Sequence, residues 1–184
     1  STETLFRTDL ARDPDYREGR FHLAGVLVAS GRFAEAQAEL QRLRAPTAEE
    51  RSGYFNAIGA EQLECATELG LGRPAGAVAI LERLEREASP AAQDPGIRSC
   101  AAQALETMGR TEEAAARYEQ IVASLGGAAP QATIALAIAR TKAKLGHRDD
   151  ARRWLERARS EGVTPGALTA LLGHVRRGDV RRRA

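Results

Sequence analysis

Aromatic residues make up only 4% of the 184-residue chain, with one Trp, and cysteine is limited to Cys65 and Cys100. A core built on large rings is therefore excluded, while a hydrophobic fraction of 43% excludes a disordered polar chain. Alanine is abundant, which suits helices packed close together. Apolar β-branched runs bounded by turn signals are missing, so an all-α chain is predicted. No stretch approaches the roughly 20 apolar residues that span a bilayer. Phe21 to Ala29 is apolar but follows the charged stretch Asp13 to Arg20 and does not read as a secretory signal.

Two cysteines are too few for a disulfide framework and lack the paired spacing of a zinc site, so a reducing, cytoplasmic compartment is expected. Cys65 is expected to be buried by packing and Cys100 to be partly exposed. Neither GxxxxGK[ST] nor GxGxxG occurs. The three histidines, His22, His147 and His174, fall in separate parts of the chain, and His147 with Asp149 and Asp150 reads as a solvated turn opening a helix. No catalytic group, metal site or cofactor is expected. The formal net charge is +2, but His174 to Ala184 holds five Arg and one Asp, which leaves the body slightly acidic. That tail has no aromatic residue and includes Arg177-Gly178-Asp179 as a chance tripeptide, so neither nucleic-acid nor membrane binding is predicted.

Helices alternate with short turns along the chain. Thr2 to Arg12 reads as a short amphipathic helix stopped by Asp13-Pro14. Asp15–Ala29 and Phe33–Leu43 follow as a pair. Thr47 and Glu50 have capping-box spacing, which predicts a long helix from Thr47 to about Leu69, with Gly53 and Gly59 inside it. Ala75–Ala88 returns, and Ser89 to Gly96 reads as a loop. Ile97–Met108 pairs with Glu112–Leu125, and Pro130–Leu145 with Asp149–Ser160. Thr164-Pro165 predicts a last helix to about Arg177.

The four turns carry Gly31, Gly72, Gly109 and Gly146, spaced 41, 37 and 37 residues apart. Five residues after each glycine stands Ala36, Ala77, Ala114 or Ala151. Seven residues before each stands Ala24, Cys65, Ala102 or Ala139, and nine after each stands Leu40, Leu81, Tyr118 or Leu155. Small groups at two fixed positions let paired helices approach closely, and the large group fills the space beside them.

On these residues, and on the turn Gly31-Arg32-Phe33-Ala34-Glu35-Ala36 above all, the chain resembles the tetratricopeptide repeat family over residues 2 to 161. Its unit spacing is longer than that family's, its first-helix Trp and Tyr are absent, and Glu68 and Lys142 stand where Leu27 and Leu105 do. The resemblance implies an all-α, right-handed superhelical solenoid of about four antiparallel helix hairpins with terminal capping helices. Residues 1–16 would be an N-terminal capping helix or partial repeat, 17–161 the four hairpins, and 162–184 a capping helix and basic tail.

By the family's register, the residues ten, six, three and two before each turn glycine line a concave groove. The groove candidates are Phe21, Val28, Gln62, Leu69, Gln103, Glu106, Arg140 and Lys144. They grade from apolar through polar to cationic, which fits a peptide with an apolar segment and an acidic end. The family's co-chaperones clamp a terminal carboxylate with Lys, Asn and Arg. Here only Arg140 and Lys144 could serve, so that specific activity is not expected. The leading expectation is a non-catalytic scaffold that binds a protein or peptide. The alternatives are a repeat segment that positions a protein substrate within a larger enzyme or regulator, and a self-associating module.

Overall fold

The structure is a computed structural model and describes residues 1–44, 56–126, 128 and 130–162. Among these, all regular elements are helical: α1 (Thr2–Arg12), α2 (Arg17–Ala29), α3 (Phe33–Arg44), α4 (Ala57–Gly70), α5 (Pro74–Arg86), α6 (Pro95–Thr107), α7 (Thr111–Ser124), α8 (Ala132–Lys144) and α9 (Arg148–Ser160). A short 3-10 helix, Pro90–Gln93, joins α5 to α6. The expected capping box at Thr47, Gly53, the helix from Thr164 and the basic tail lie outside the described residues.

One expected helix is not continuous through Asn56. Asn56 has an extended backbone, and its side chain accepts the Gly59 N–H at 2.8 Å, so α4 starts afresh at Ala57 rather than running on from Thr47. The segment expected as a loop at Ser89 to Gly96 is also more ordered. Ala91 and Ala92 in its 3-10 turn are buried with Leu81, Leu84, Ile97 and Ala101, so they belong to the core.

Each hairpin turns on a glycine in the left-handed region, with φ of 74° at Gly31, 71° at Gly72, 77° at Gly109 and 83° at Gly146. The N–H after each glycine returns to a carbonyl five residues back, Arg32 to Leu27, Arg73 to Glu68, Arg110 to Leu105 and His147 to Lys142, at 2.8 to 2.9 Å. This is the closure that satisfies the last carbonyls of a helix and reverses the chain. The spacing pattern read from the sequence then falls into place. Ala24, Cys65, Ala102 and Ala139 are fully buried, as are Ala36, Ala77, Ala114 and Ala151, and the four large residues beside them are at most 5% exposed.

The chain divides into two compact units, Ser1–Ala104 and Leu105–Ala184, with the boundary inside α6. In the first, α1 lays Phe6 and Leu10 on the cluster Leu23, Leu27 and Ala36. An ion-pair network ties it down: Glu3 pairs with Arg7 and Arg32, and Glu35 pairs with the same two arginines. Ala24, Leu40, Leu43 and Ala60 join α2, α3 and α4. On α2, Arg20 donates to Glu39 at 2.6 Å, both side chains being nearly buried, and to the Pro14 carbonyl. In the second unit, α7 packs on α8 and α8 on α9, burying Tyr118, Ile121, Ile134, Ile138 and Leu155. Lys142, on a core register position, lies with its stem covered and its ammonium 2.5 Å from Glu119. Glu68, its counterpart in the first unit, pairs with Arg73 at 2.7 Å.

Two outcomes follow. Gly146→Ala keeps open space around the new methyl group but forces an L-residue into the left-handed region, and urea unfolding should show a loss of about 1 kcal/mol. Glu39→Ala should cost about 3 kcal/mol by leaving the Arg20 charge without its carboxylate partner, whereas Arg20→Met with Glu39→Leu should recover most of that loss.

Candidate functional site

Side-chain exposure along the first helix of each hairpin follows one register. Residues seven before the turn glycine are buried in all four, while none of those ten, six, three and two before it is buried. The eight groove candidates all belong to the second set. The sequence therefore separates the packed stripe of each first helix from its open stripe.

In the first unit the open stripe is partly committed to packing. Phe21 is half-buried against the cluster Ala24, Leu40, Leu43 and Ala60, and its ring tip would clash with a methyl group at Gly59, so it wedges α2 against α4. Val28 lies against Leu23, Leu27 and Ala36. Gln62 is exposed and donates to Asp94 at 2.8 Å, and Asp94 in turn accepts the Ile97 N–H at 2.9 Å as the cap of α6. Leu69 is half-buried and Gln103 exposed.

In the second unit, Glu106, Arg140 and Lys144 come together. Arg140 donates through Nε to Glu106 Oε2 at 2.8 Å and through Nη2 to Oε1 at 2.7 Å, Lys144 Nζ lies 3.3 Å from Oε2, and the Tyr118 hydroxyl donates to Oε1 at 3.2 Å. The Glu106 side chain is only 6% exposed, whereas Arg140 and Lys144 are 41% and 49% exposed. Burial pushes the Glu106 carboxyl up, but the bonds from Arg140 and then Lys144 prevail and hold it below its ordinary 4.5. Burial and the adjacent carboxylate push the Tyr118 phenol well up, so it remains a donor. The cationic end expected from the sequence thus encloses one of the chain's own carboxylates, and the three ionised groups sum to one positive charge.

The two cysteines correct the sequence reading. Cys65 on α4 and Cys100 on α6 form a disulfide across 35 residues, so they are not separate thiols. The cysteine count accordingly gives no ground for a reducing compartment. As expected, Cys65 is buried and Cys100 partly exposed. Outside the groove register, a cleft of about 430 Å³ opens between α3, α4 and α5, lined by Gln37, Leu40, Arg44, Glu64, Ile80 and Arg83 among others. Its charges are mutually engaged: Arg44 with Glu61 and Glu64, and Arg83 with Glu61. Burial dominates at Glu64 and raises its pKa despite Arg44. Among the described residues, no three of His, Cys, Asp and Glu are grouped to hold a metal ion, and no helix is long and apolar enough to cross a membrane.

Residues 3–58 match the tetratricopeptide repeat model. The chain is also similar in structure to a tetratricopeptide repeat protein from Parabacteroides merdae, with a TM-score of 0.70 at 17% identity, covering 94% of this chain and 62% of that one. The fold is that of a tetratricopeptide repeat protein. Two further structures agree. One is YrrB, described as a tetratricopeptide repeat protein with an unusual peptide-binding site, with a TM-score of 0.61 at 17% identity over 91% of this chain and 80% of that one. The other is MamA of AMB-1, with a TM-score of 0.53 at 21% identity over 80% and 75%. This chain therefore spans under two thirds of the Parabacteroides protein's length. No curated protein matches the sequence.

In this tetratricopeptide repeat fold, Glu106 in the last turn of α6 is bonded to Arg140 and Lys144 of α8, and its ionisation is linked to stability. Because its folded pKa is lowered, its contribution is complete above about pH 4.5 and fades as pH falls through the lowered value. Glu106→Gln should lose about 2 kcal/mol at pH 7 by weakening charge-assisted bonds from Arg140. The difference in stability between wild type and variant should shrink below pH 4.5, as urea titrations at several pH values would show.

Proposed function

We propose that this chain is a non-catalytic binding module that takes up a protein or peptide segment along the open stripes of its first helices. The observation that carries this reading is the shared register: in all four hairpins the packed positions are buried, while the candidate positions, apart from the Glu106 side chain, keep exposed surface. YrrB, whose fold this chain resembles, is described by its peptide-binding site, which adds support.

The open stripes of the first unit offer half-buried apolar surface at Phe21, Val28 and Leu69 beside hydrogen-bonding groups at Gln62 and Gln103. The second unit offers the exposed halves of Arg140 and Lys144 around Glu106. The partner chemistry that fits is an extended or helical segment with apolar anchors and an acidic residue or end. Lys144 is the better contact for that acid. Its single bond to Glu106 is long, whereas the Arg140 guanidinium is held by two short ones.

Selection of a random peptide library on the full chain tests this. Enriched sequences should combine apolar and acidic residues, and Lys144→Glu should weaken the best binder at least fivefold while the helical circular dichroism is unchanged. Unchanged affinity would remove the acidic contact, and a library that yields no binder would overturn the reading.

A further inference from the structure

We propose that the Cys65–Cys100 disulfide is a redox-sensitive clasp between α4 and α6, which a dithiol reductant opens while the hairpins stay folded. The residue pattern first shows that the core does not need the sulfur. Cys65 occupies the position seven before the turn glycine, where the other hairpins place the fully buried Ala24, Ala102 and Ala139. An alanine would satisfy the packing there, and what the cysteine adds is the bond to Cys100.

The surroundings show that both helices keep other anchors when the bond opens. Ile97 and Ala101 of α6 are buried with Leu81, Leu84, Ala91 and Ala92. The cap at Asp94 fixes the first turn of α6 independently. On the other side, α4 packs on α2, α3 and α5. The Gln62 bond to Asp94, the cap of α6, lies beside the disulfide. Opening the disulfide thus removes the covalent tie between these two helices and leaves the packing of α4 on α2, α3 and α5 and of α6 on α5 and the 3-10 turn.

Access is asymmetric, which fixes the order of events. Cys65 is fully buried, and Cys100 is partly exposed. A thiolate of the dithiol attacks Cys100 Sγ, the S–S bond breaks, and Cys65 leaves as a thiolate that takes up a proton. The second thiol of the reductant then attacks the mixed disulfide, releasing Cys100 as a thiol and leaving the reductant as its own disulfide. Two electrons and two protons pass to the protein. The Cys65 sulfur lies 3.7 Å from the Ala77 carbonyl oxygen, an acceptor already in place for the new S–H. Because Gln62 and Gln103 stand on these same two helices, the clasp also sets the spacing of two proposed contact residues. The clasp itself does not depend on those residues binding a peptide.

The test uses the full chain, with dithiothreitol as the dithiol, and combines thiol counting by N-ethylmaleimide, circular dichroism and amide hydrogen exchange. Two thiols per chain should appear under reduction with the helical signal retained. Exchange should rise severalfold around the two cysteines, in the turns of α4 and α6 that carry Cys65 and Cys100, and stay within twofold in α2 and α8. Cys65→Ala with Cys100→Ala should show the same raised exchange with or without reductant. Release of thiols only together with loss of helix would make the bond a fixed cross-link and overturn the clasp. Release with unchanged exchange would overturn it as well, as would two free thiols in protein purified in air. These readouts contain no peptide, so failure of the peptide selection and failure of the clasp are separate results.

Discussion

Close approach of paired helices at two alanine-sized positions is the constraint on which the rest of each hairpin depends. The turn glycine sets it, because only a left-handed residue closes the first helix and sends the chain back within a few residues. That closure fixes which residue of the second helix meets which residue of the first. With Ala36, Ala77, Ala114 and Ala151 buried at one point and Ala24, Cys65, Ala102 and Ala139 at the other, there is no room for a larger group at either. Leu40, Leu81, Tyr118 and Leu155 can then fill the neighbouring space in every copy, since the gap they enter is the same.

Once this frame holds, the remaining core positions tolerate charge, provided that each charge finds a partner. Arg20 with Glu39, Glu68 with Arg73, and Lys142 with Glu119 sit where apolar or aromatic groups would serve, and each pairs within 2.7 Å. Such pairs add little net stability over apolar residues of equal size, because desolvation offsets most of their attraction. Their consequence is specificity, since removing one member leaves a poorly hydrated charge. Glu106 carries the same logic to the open stripe, with Arg140, Lys144 and Tyr118 all directed at one nearly buried carboxylate.

The fold was legible where the determinants are local. Glycine spacing, the alanines five residues on and the polar turns are all read within one hairpin, and those hairpins stand where the sequence put them. The start of α4 was not, because Asn56, whose side chain accepts the Gly59 N–H, lies inside the span that the spacing of Thr47 and Glu50 predicts as one helix. The site was half legible. Register identified the open stripe, but Glu106 reads as a solvated groove acid until Arg140, 34 residues away, is seen to hold it. The disulfide was hidden for the same reason, its cysteines being 35 residues apart in different hairpins, with no local spacing to join them.

The state of Glu106 decides what its neighbours can offer. If Arg140 and Lys144 were unpaired, their two charges would attract any acidic segment over a Debye length, with little selectivity. With Glu106 ionised between them at neutral pH, the long-range field is that of a single charge, and an incoming carboxylate must either share Lys144 or displace Glu106 from Arg140. Displacement would leave a nearly buried carboxylate without its strongest donors, which is costly. Sharing is the less costly course, so a proposed ligand acid would sit at the exposed side of Lys144. In the proposed binding module, discrimination would then fall to the apolar and hydrogen-bonding groups of the open stripes, rather than to charge alone.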